Sequence, residues 1–497
     1  MPYGLASTET EDTSMHRISE RRQFLRAAGS ALLAAPLAVS LPQAIAAETT
    51  REPGVKTDNP EADKGRDWPA SLPGVPSLRL DVLQLGAKGD GQANDTLALQ
   101  QTIDRCAMLG GGHVEVPAGN YLCGALVLRS HVWLELAAGA TIHGVPDLAS
   151  YPLSQVRWEG KFIPGHTALI SAIDAENIAI QGPGAIAGSE AIQGRVDLQT
   201  GYRLPALLEF SGCRQVRVED CQTSNGGMWS IHPLYCEQIA FRRLKIASGA
   251  DGIDVDSCRQ VVIEDCEFDT VDDCISLKSG RGEEGYTIGR PTEEVRIANC
   301  SFLDRHFACI GIGSETSAGI RQVRIENCRC QGARSHAIYI KSRPGRGAYL
   351  EDIAVDGFEA TGARQGFLRL NTLNSGKHDQ DPVPGLEGIP SARNFRFENI
   401  RVYDLPSLVE GWEIHPQKAL DGFVMRHVTG TVKSGITLAH VRHAELDDIA
   451  VTGFEGPLVQ IFDVTGTGLA GAASLDMSHD PAAPGEEPAP ATPYQLH

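Results

Sequence analysis

Three aspartates, Asp251, Asp272 and Asp273, stand at the starts of two similar segments and are the side chains best suited to acid–base chemistry. Hydrolysis of a glycosidic bond needs one carboxylic acid to protonate the leaving oxygen and one carboxylate to activate water. Crowding of like charges raises the pKa of at least one carboxyl group, which can then hold a proton near neutral pH. The cluster therefore predicts a glycosidase. A calcium site, or aspartates that only cap turns, are the alternatives.

An internal repeat indicates how these aspartates are positioned. Strong copies of a short apolar segment ending in cysteine begin at Val216, Val261, Val295 and Val323, and weaker copies begin near Ile178, Ile239, Ile353, Phe395 and Phe423. Between residues 216 and 353 the copies lie 22 to 34 residues apart. This spacing is typical of one turn of a β-solenoid with insertions of varying length.

A second strand in each turn shows apolar residues with a period of two. Its inward side chains form two predicted stacks, one of Ile253, Ile275, Ile310, Ile338 and Leu368 and one of Val255, Leu277, Ile312, Ile340 and Leu370. The residues between them must point outward, because successive side chains of a strand take opposite faces. The outward set of the middle turns is charged and comprises Asp254, Asp256, Lys278, Lys341 and Arg369. We therefore predict an all-β fold, a right-handed parallel β-helix built as a single-stranded solenoid.

A helix is predicted before the first turns, from Leu97 to Cys106, with Asp95 as its N-cap and three glycines after it as its stop. Such a helix would cover the open hydrophobic end that a solenoid must protect.

The 12 cysteines favour packing over chemistry. Cys221, Cys266, Cys300 and Cys328 fall at one position of successive turns, where neighbouring strands lie about 4.8 Å apart. Cysteines in such a stack pack as small hydrophobic residues. Because the chain has no Cys-x-x-Cys pair, we expect no metal ion and no cofactor.

From about Leu85 to Ile449 the chain resembles glycoside hydrolase family 28, the polygalacturonases and their relatives. The motifs that carry the resemblance are the paired aspartates in Val271–Ile275, the half-motif Asp251–Asp254, the motif ends Ile312–Glu315 and Ile340-Lys341, the segment Trp229–Pro233 and the cap-like Leu85–Asp90. The resemblance implies hydrolysis by inversion, with Asp272 as general acid, Asp251 and Asp273 orienting and deprotonating the water, and Lys341 binding a substrate carboxylate. Inversion also implies carboxyl groups roughly 6.5–9.5 Å apart.

The chain departs from the family pattern at three positions, where Gly249, Ala308 and Tyr339 replace an asparagine, a histidine and an arginine. We expect His306 to keep the face of the missing histidine, His336 to approach Asp272 from the next turn, and Arg369 to supply the missing guanidinium. Surface positions for these side chains are the alternative. Tyr339 could stack on a sugar face. The expected substrate-binding set is therefore Lys341, Tyr339, Asp254, Lys278, His306, His336 and Arg369. Loss of the carboxylate clamp favours rhamnose or another neutral sugar at one subsite over plain homogalacturonan.

Charge and the N-terminus limit the partners of the 497-residue chain. Its net charge of −19 argues against nucleic acid and anionic membranes as partners.

Arg21-Arg22 precedes an apolar run that is shorter than the ~20 residues of a membrane span, which predicts a twin-arginine export signal. We expect a signal at 1–46, a linker at 47–78, the catalytic β-helix at 79–475 and a disordered tail at 476–497. The mature protein should be a monomer in the periplasm or outside the cell, free of the membrane, with a polysaccharide or oligosaccharide as substrate.

Two other functions stay open. A polysaccharide lyase would share the solenoid and use calcium with an Arg or Lys base. A carbohydrate-binding solenoid with a decayed site would fit the replaced histidine and arginine, although all three aspartates are retained. New reducing ends without ultraviolet absorbance would distinguish hydrolysis from both.

Overall fold

The computed structural model describes residues 73–304 and 306–478. The expected export signal at 1–46, most of the linker and most of the tail lie outside these residues. Within them the chain forms a 31-stranded sheet wound into a right-handed parallel β-helix and one separate antiparallel hairpin. None of the helices in the described part has the length and hydropathy of a transmembrane span.

Three columns of parallel strands form the faces of the β-helix. The first column contains β1 (Arg79–Asp81), β3 (Gly112–Val116), β6 (Val132–Leu136), β11 (Glu176–Gln181), β14 (Arg214–Glu219), β17 (Glu237–Arg242), β20 (Arg259–Glu264) and β23 (Thr292–Ala298). The second contains β2 (Asp90–Asn94), β4 (Gly119–Cys123), β7 (Ala140–Gly144), β12 (Ala185–Ala187), β15 (Gln222–Asn225), β18 (Lys245–Ser248), β21 (Glu267–Thr270) and β24 (Ser301–Phe302). The third contains β5 (Leu126–Val127), β10 (Ile170–Ile173), β13 (Leu208–Ser211), β16 (Ile231–Leu234), β19 (Ile253–Asp256), β22 (Ile275–Lys278), β25 (Ile310–Ile312), β27 (His336–Lys341) and β29 (Gly366–Asn371).

In the later turns a single strand continues around the corners of the β-helix and so belongs to more than one column. These longer strands and the two that follow them are β26 (Ile320–Cys330), β28 (Tyr349–Thr361), β30 (Ser391–Glu413), β31 (Leu420–Thr452), β32 (Val459–Thr467) and β33 (Ala473–Ser474).

The register of these columns confirms both predicted inward stacks. Ile253 pairs with Ile275, Ile275 with Ile310, Ile310 with Ile338, and Ile338 with Leu368. The cysteine stack needs one correction, because an additional turn lies between Cys221 and Cys266 and places Leu244 at that position. All 12 cysteines lie in the described residues as buried free thiols, packed as small apolar side chains.

The sequence repeat also explains the corner between the first two columns. The residue before each repeated cysteine is Asp220, Asp265, Asn299 or Asn327, and each has a φ between 51° and 63°. Asp and Asn tolerate this left-handed conformation better than most residues, because their short polar side chains can hydrogen-bond locally. Adjacent corners are linked, since the Asn299 amide donates to Asp265 at 3.1 Å.

Helix α1 (Thr96–Met108) covers the N-terminal end of the β-helix, with Leu99, Ile103 and Cys106 buried. Asp95 is the N-cap residue of this helix, as predicted, but its side chain makes no capping hydrogen bond to the helix N-terminus. Its carboxylate instead accepts the backbone N–H groups of Lys88 and Gly89 at 2.7 and 3.0 Å, which fixes the preceding turn.

Insertions between turns stand over the third column. They include the hairpin of β8 (Leu153–Trp158) and β9 (Lys161–His166), helix α2 (Gly282–Ile288) and two 3-10 helices at Leu148–Ser150 and Gly385–Gly388. Ion pairs join the hairpin to distant segments, from Lys161 to Asp381 at 2.6 Å and from Glu159 to Lys377 at 2.9 Å. These contacts close one side of the surface that carries the aspartates.

Candidate active site

A pocket opens above the third column where β19 and β22 begin, and Asp251, Asp272 and Asp273 all line it. Asp251 and Asp273 are neighbours on adjacent turns, because the N–H of Gly252 donates to the carbonyl of Asp273 at 3.0 Å. The turn geometry of the β-helix therefore brings together carboxylates that are 22 residues apart in the chain.

The pocket gathers six basic side chains beside five acidic ones in an acidic chain. Its basic lining residues are Arg195, Lys278, Arg281, Lys341, Arg346 and Lys377, and its acidic ones are Glu159, Asp251, Asp272, Asp273 and Glu315. Asp379 is shared between Arg281 and Arg346, each at 2.9 Å. The Nη1 of Arg346 is buried without a hydrogen-bond partner among the described residues. A buried guanidinium N–H without a partner suits an anionic ligand, which can accept its hydrogen bond.

Two lysines hold the buried aspartates in place. Lys341 donates to Asp273 at 2.9 Å, and Lys278 lies 3.2 Å from Asp251 and 2.7 Å from Asp254. The hydroxyl of Ser276 lies between Asp251 and Asp273, at 3.3 and 3.4 Å. Gly311 leaves room for this arrangement, because a Cβ at that position would lie 2.4 Å from Asp273.

The local environments give the buried carboxyl groups different protonation behaviour. Burial, reinforced by the charges of Asp272 and Asp251, raises the pKa of Asp273 despite Lys341. Burial alone would also raise the pKa of Asp251, but the Lys278 ammonium and a hydrogen bond from Asp254 lower it. Asp254 lies beneath the pocket, and its burial together with the charge of Asp251 raises its pKa well above the ordinary value. Such divergent pairs of carboxyl groups are what acid–base catalysis requires.

Asp272 differs from its neighbours because its side chain is 31% exposed and forms an ion pair with Arg195. Arg195 comes from the segment between β12 and β13, about 77 positions earlier in the chain. The segment is fixed by a backbone bond from Leu204 to Arg195 and by Arg203, whose guanidinium binds both oxygens of Glu209 at 2.6 and 2.7 Å. Sequence reasoning missed Arg195, since it belongs to no repeat and no motif.

Two indoles also line the pocket. Trp158 of the hairpin stacks on Trp229 at 5.1 Å, and Lys278 lies over the Trp229 ring at 4.2 Å. Trp229 belongs to a segment that the sequence singled out, whereas Trp158 carries no signal in the sequence.

Of the expected substrate-binding residues, Lys341 and Lys278 line the pocket, and Asp254 supports it from below. Tyr339 and Arg369 have the predicted register, one turn apart. Neither lines the pocket: the Tyr339 hydroxyl bonds to Ser375 at 3.1 Å, and Arg369 pairs with Glu413.

The expected positions of the two histidines need correction. His306 does not keep an outward face, because it lies in a turn before β25 where strand alternation does not apply. Its ring is fully buried, with Nε2 3.2 Å from the thiol of Cys309. His336 is one turn beyond Ala308 as predicted, but its buried ring lies 3.3 Å from Glu410 and does not line the pocket with Asp272.

The replaced asparagine has a steric explanation. A Cβ at Gly249 would lie 2.0 Å from the carbonyl oxygen of Gly226, so a larger residue does not fit there.

One group among the described residues has the donors of a metal site. Nε2 of His306 and the thiols of Cys309 and Cys330 lie within 4.8 Å of one another, all buried. Structural zinc sites have four ligands, and this group offers three. The cluster faces the core, away from the pocket.

Comparison with known proteins places this site in a family. The model of glycosyl hydrolases family 28 matches residues 106–361. The chain is 30% identical over 351 residues to a probable polygalacturonase of Vitis vinifera, covering 66% of this chain and 71% of that protein. It is 27% identical over 314 residues to an exo-poly-alpha-D-galacturonosidase of Dickeya chrysanthemi, covering 51% and 50%. Its structure resembles that of a hyperthermoactive exopolygalacturonase from Thermotoga maritima, with a TM-score of 0.69 and 26% identity over 77% of this chain and 94% of the other. The chain therefore belongs to the glycosyl hydrolases of family 28.

Proposed function

We propose that this glycosidase hydrolyses α-glycosidic bonds of polygalacturonan by inversion. The observation that carries the proposal is the pocket itself, in which six basic side chains surround the three aspartates of adjacent turns. These cations support a uronic acid as the bound sugar, rather than the neutral sugar that the replaced arginine alone favours. The names of the Vitis and Dickeya relatives support the same polymer.

In the proposed mechanism Asp272 donates a proton to the leaving oxygen as the glycosidic bond breaks. A water between Asp251 and Asp273 attacks the anomeric carbon and gives up its proton to Asp251, whose lowered pKa keeps it ionised. Asp273 orients the water, and Lys341 and Lys278 hold the two carboxylates in place. The chemistry needs no group beyond these side chains and water.

The hairpin and the segments tied to it close one side of the pocket, which supports attack at an end of the polysaccharide chain. Ion pairs of Glu159 with Lys377 and Arg281 tie the hairpin to two later segments, and all three side chains line the pocket with the aspartates. The Dickeya and Thermotoga relatives are both described as exo-acting.

Digestion of polygalacturonate with the purified protein tests the proposal. Reducing ends and ultraviolet absorbance are followed together, while chromatography resolves the products. We expect reducing ends without absorbance, and galacturonate or one short oligomer from the first time point. A ladder of oligomers would overturn exo attack, absorbance would indicate a lyase, and no product would favour the binding-protein alternative.

We further propose that the protein is exported through the twin-arginine route and acts as a monomer. Arg21-Arg22 and the apolar run after it support the export, which a lysine pair at both positions should abolish. Cell fractionation measures the first proposal and light scattering the second.

A further inference from the structure

Arg195 stands out among the basic residues of the pocket. We propose that Arg195 is the receptor for a uronate carboxylate of the substrate, and that its transfer from Asp272 to this carboxylate lets Asp272 take up the proton it later donates. The inference rests on the proposed function and adds to it a binding group and a cause for the protonation of the acid.

Arg195 is more accessible than the other guanidinium groups of the pocket. Arg281 and Arg346, the other guanidinium groups of the pocket, are 3% and 1% exposed and share Asp379. Arg195 is 36% exposed, and its partner Asp272 is the most exposed of the three aspartates. A partly exposed ion pair is weaker than a buried one and can exchange for another carboxylate, because water reaches and screens it.

The arginine of the family pattern is replaced in this chain. The arginine expected at residue 339 is a tyrosine, and Arg369 of the next turn is occupied by Glu413. Neither position supplies a guanidinium to the pocket. Arg195 reaches the same pocket from an unrelated segment, and its planar fork matches a carboxylate with two parallel hydrogen bonds.

A carboxylate that is ion-paired with arginine lacks the proton that a general acid must donate. When a substrate carboxylate binds Arg195, Asp272 loses its cation and faces a new negative charge, which favours the protonated form. One proton is then taken from solvent for each substrate bound, and it leaves with the departing sugar oxygen when the bond breaks.

The ion pair is not needed to hold the segment in place. The Arg203–Glu209 pair and the backbone bond between Leu204 and Arg195 anchor it independently. Loss of the Arg195 side chain should therefore leave the fold intact, which circular dichroism can check.

Calorimetry with galacturonate at pH 6, in two buffers of different ionisation enthalpy, tests the inference. We expect the wild type to take up protons from solvent when galacturonate binds, and Asp272→Asn to bind with no uptake. Arg195→Gln should bind galacturonate about 10- to 100-fold more weakly, the loss of one charge-assisted contact. Galactose, which has no carboxylate, should not distinguish Arg195→Gln from the wild type. Arg214→Gln, an exposed arginine of β14, is the matched control and should behave as wild type.

Galacturonate binding without proton uptake in an enzyme that still hydrolyses polygalacturonate would overturn this inference alone. Unchanged affinity in Arg195→Gln would do the same. A wild-type protein that neither binds galacturonate nor hydrolyses the polymer would instead overturn the proposed function.

Discussion

Asp251, Asp254 and Asp273 are chemically identical side chains within one turn of each other, yet their surroundings separate them. Lys278 contacts both Asp251 and Asp254. Burial and the charge of Asp251 raise the pKa of Asp254, whereas Lys278 and a hydrogen bond from Asp254 lower the pKa of Asp251. Burial, together with the charges of Asp272 and Asp251, raises the pKa of Asp273, and Lys341 offsets this only in part. The functional difference at this scale is set by lysine placement.

Asp272→Asn should lower kcat by about 10²- to 10⁴-fold, because an amide cannot donate the proton that the leaving oxygen needs. Its stability should change little, since the side chain is partly exposed. Steady-state kinetics on polygalacturonate and a thermal melt measure the two effects. Asp174→Asn, an exposed aspartate away from the pocket, is the control. Near-normal turnover in Asp272→Asn would remove Asp272 from the role of acid.

Lys341→Gln should move the acidic limb of the pH–activity profile to higher pH. The Lys341 charge lowers the pKa of Asp273, so its removal raises that pKa further, and a carboxylate required in ionised form is then lost at a higher pH. The profile of kcat/KM measures the shift, and Lys341→Arg, which keeps the charge, should largely restore the limb. An unmoved limb would mean that the state of Asp273 does not govern activity.

At the scale of elements, the strands provide a regular surface and the insertions give it a pocket. The segment between β12 and β13 supplies Arg195, and the hairpin of β8 and β9 supplies Trp158 and Glu159. Both insertions are fixed to the β-helix by buried ion pairs, Arg203 to Glu209 and Arg157 to Asp256. The precision of the pocket therefore depends on a few charged contacts at the bases of the insertions.

Glu209→Gln should destabilise the protein at neutral pH and weaken its acid dependence. Burial raises the pKa of Glu209, but Arg203 and His232 outweigh it and lower the pKa from 4.5 to about 2. A lowered folded-state pKa adds stability that is present above pH 4.5 and is lost as the pH falls toward 2. The shift corresponds to about 3 kcal/mol.

Urea unfolding at pH 7 and pH 3 measures this contribution. The wild type should lose more stability between the two pH values than Glu209→Gln does. Glu237→Gln, which breaks an exposed pair with Arg214, should stay within about 1 kcal/mol of wild type at both. Equal pH slopes for Glu209→Gln and the wild type would contradict the assignment.

At the scale of the molecule, each turn packs only on its neighbours, and continuous side-chain stacks transmit that packing along the axis. Phe268 stacks on Phe302 at 5.4 Å, and Phe302 on Phe358 at 6.5 Å. The buried cysteines fill further positions of the same core. Within the described residues no disulfide joins the turns, so their cohesion comes from apolar burial and the strand hydrogen bonds.

A thiol titration should find no fast-reacting cysteine in the native protein and 12 after unfolding in denaturant without reductant. Burial excludes the reagent from every thiol and raises the pKa of most of them, for example Cys274. Fewer than 12 thiols in the unfolded protein would reveal disulfides and contradict packing as the role of the cysteines.

The sequence by itself determined the β-helix, its register and the meeting of Asp251 with Asp273. These follow from a period of two within strands and a repeat between turns, so that local spacing fixes which residues stack. Lys341 and Lys278 follow from the same register, since they lie on strands whose alternation the sequence shows.

Only the tertiary structure decided the contents of the pocket around the aspartates. Arg195, Trp158 and Lys377 lie in insertions without periodicity, and their positions are fixed by contacts with residues far away in the chain. His306 turned inward for the related reason that a turn does not obey strand alternation. Repeats specify which residues are neighbours along the axis, because similar turns must stack on one another. The position of an insertion is instead set by its contacts with complementary charged or aromatic side chains on the surface of the folded β-helix.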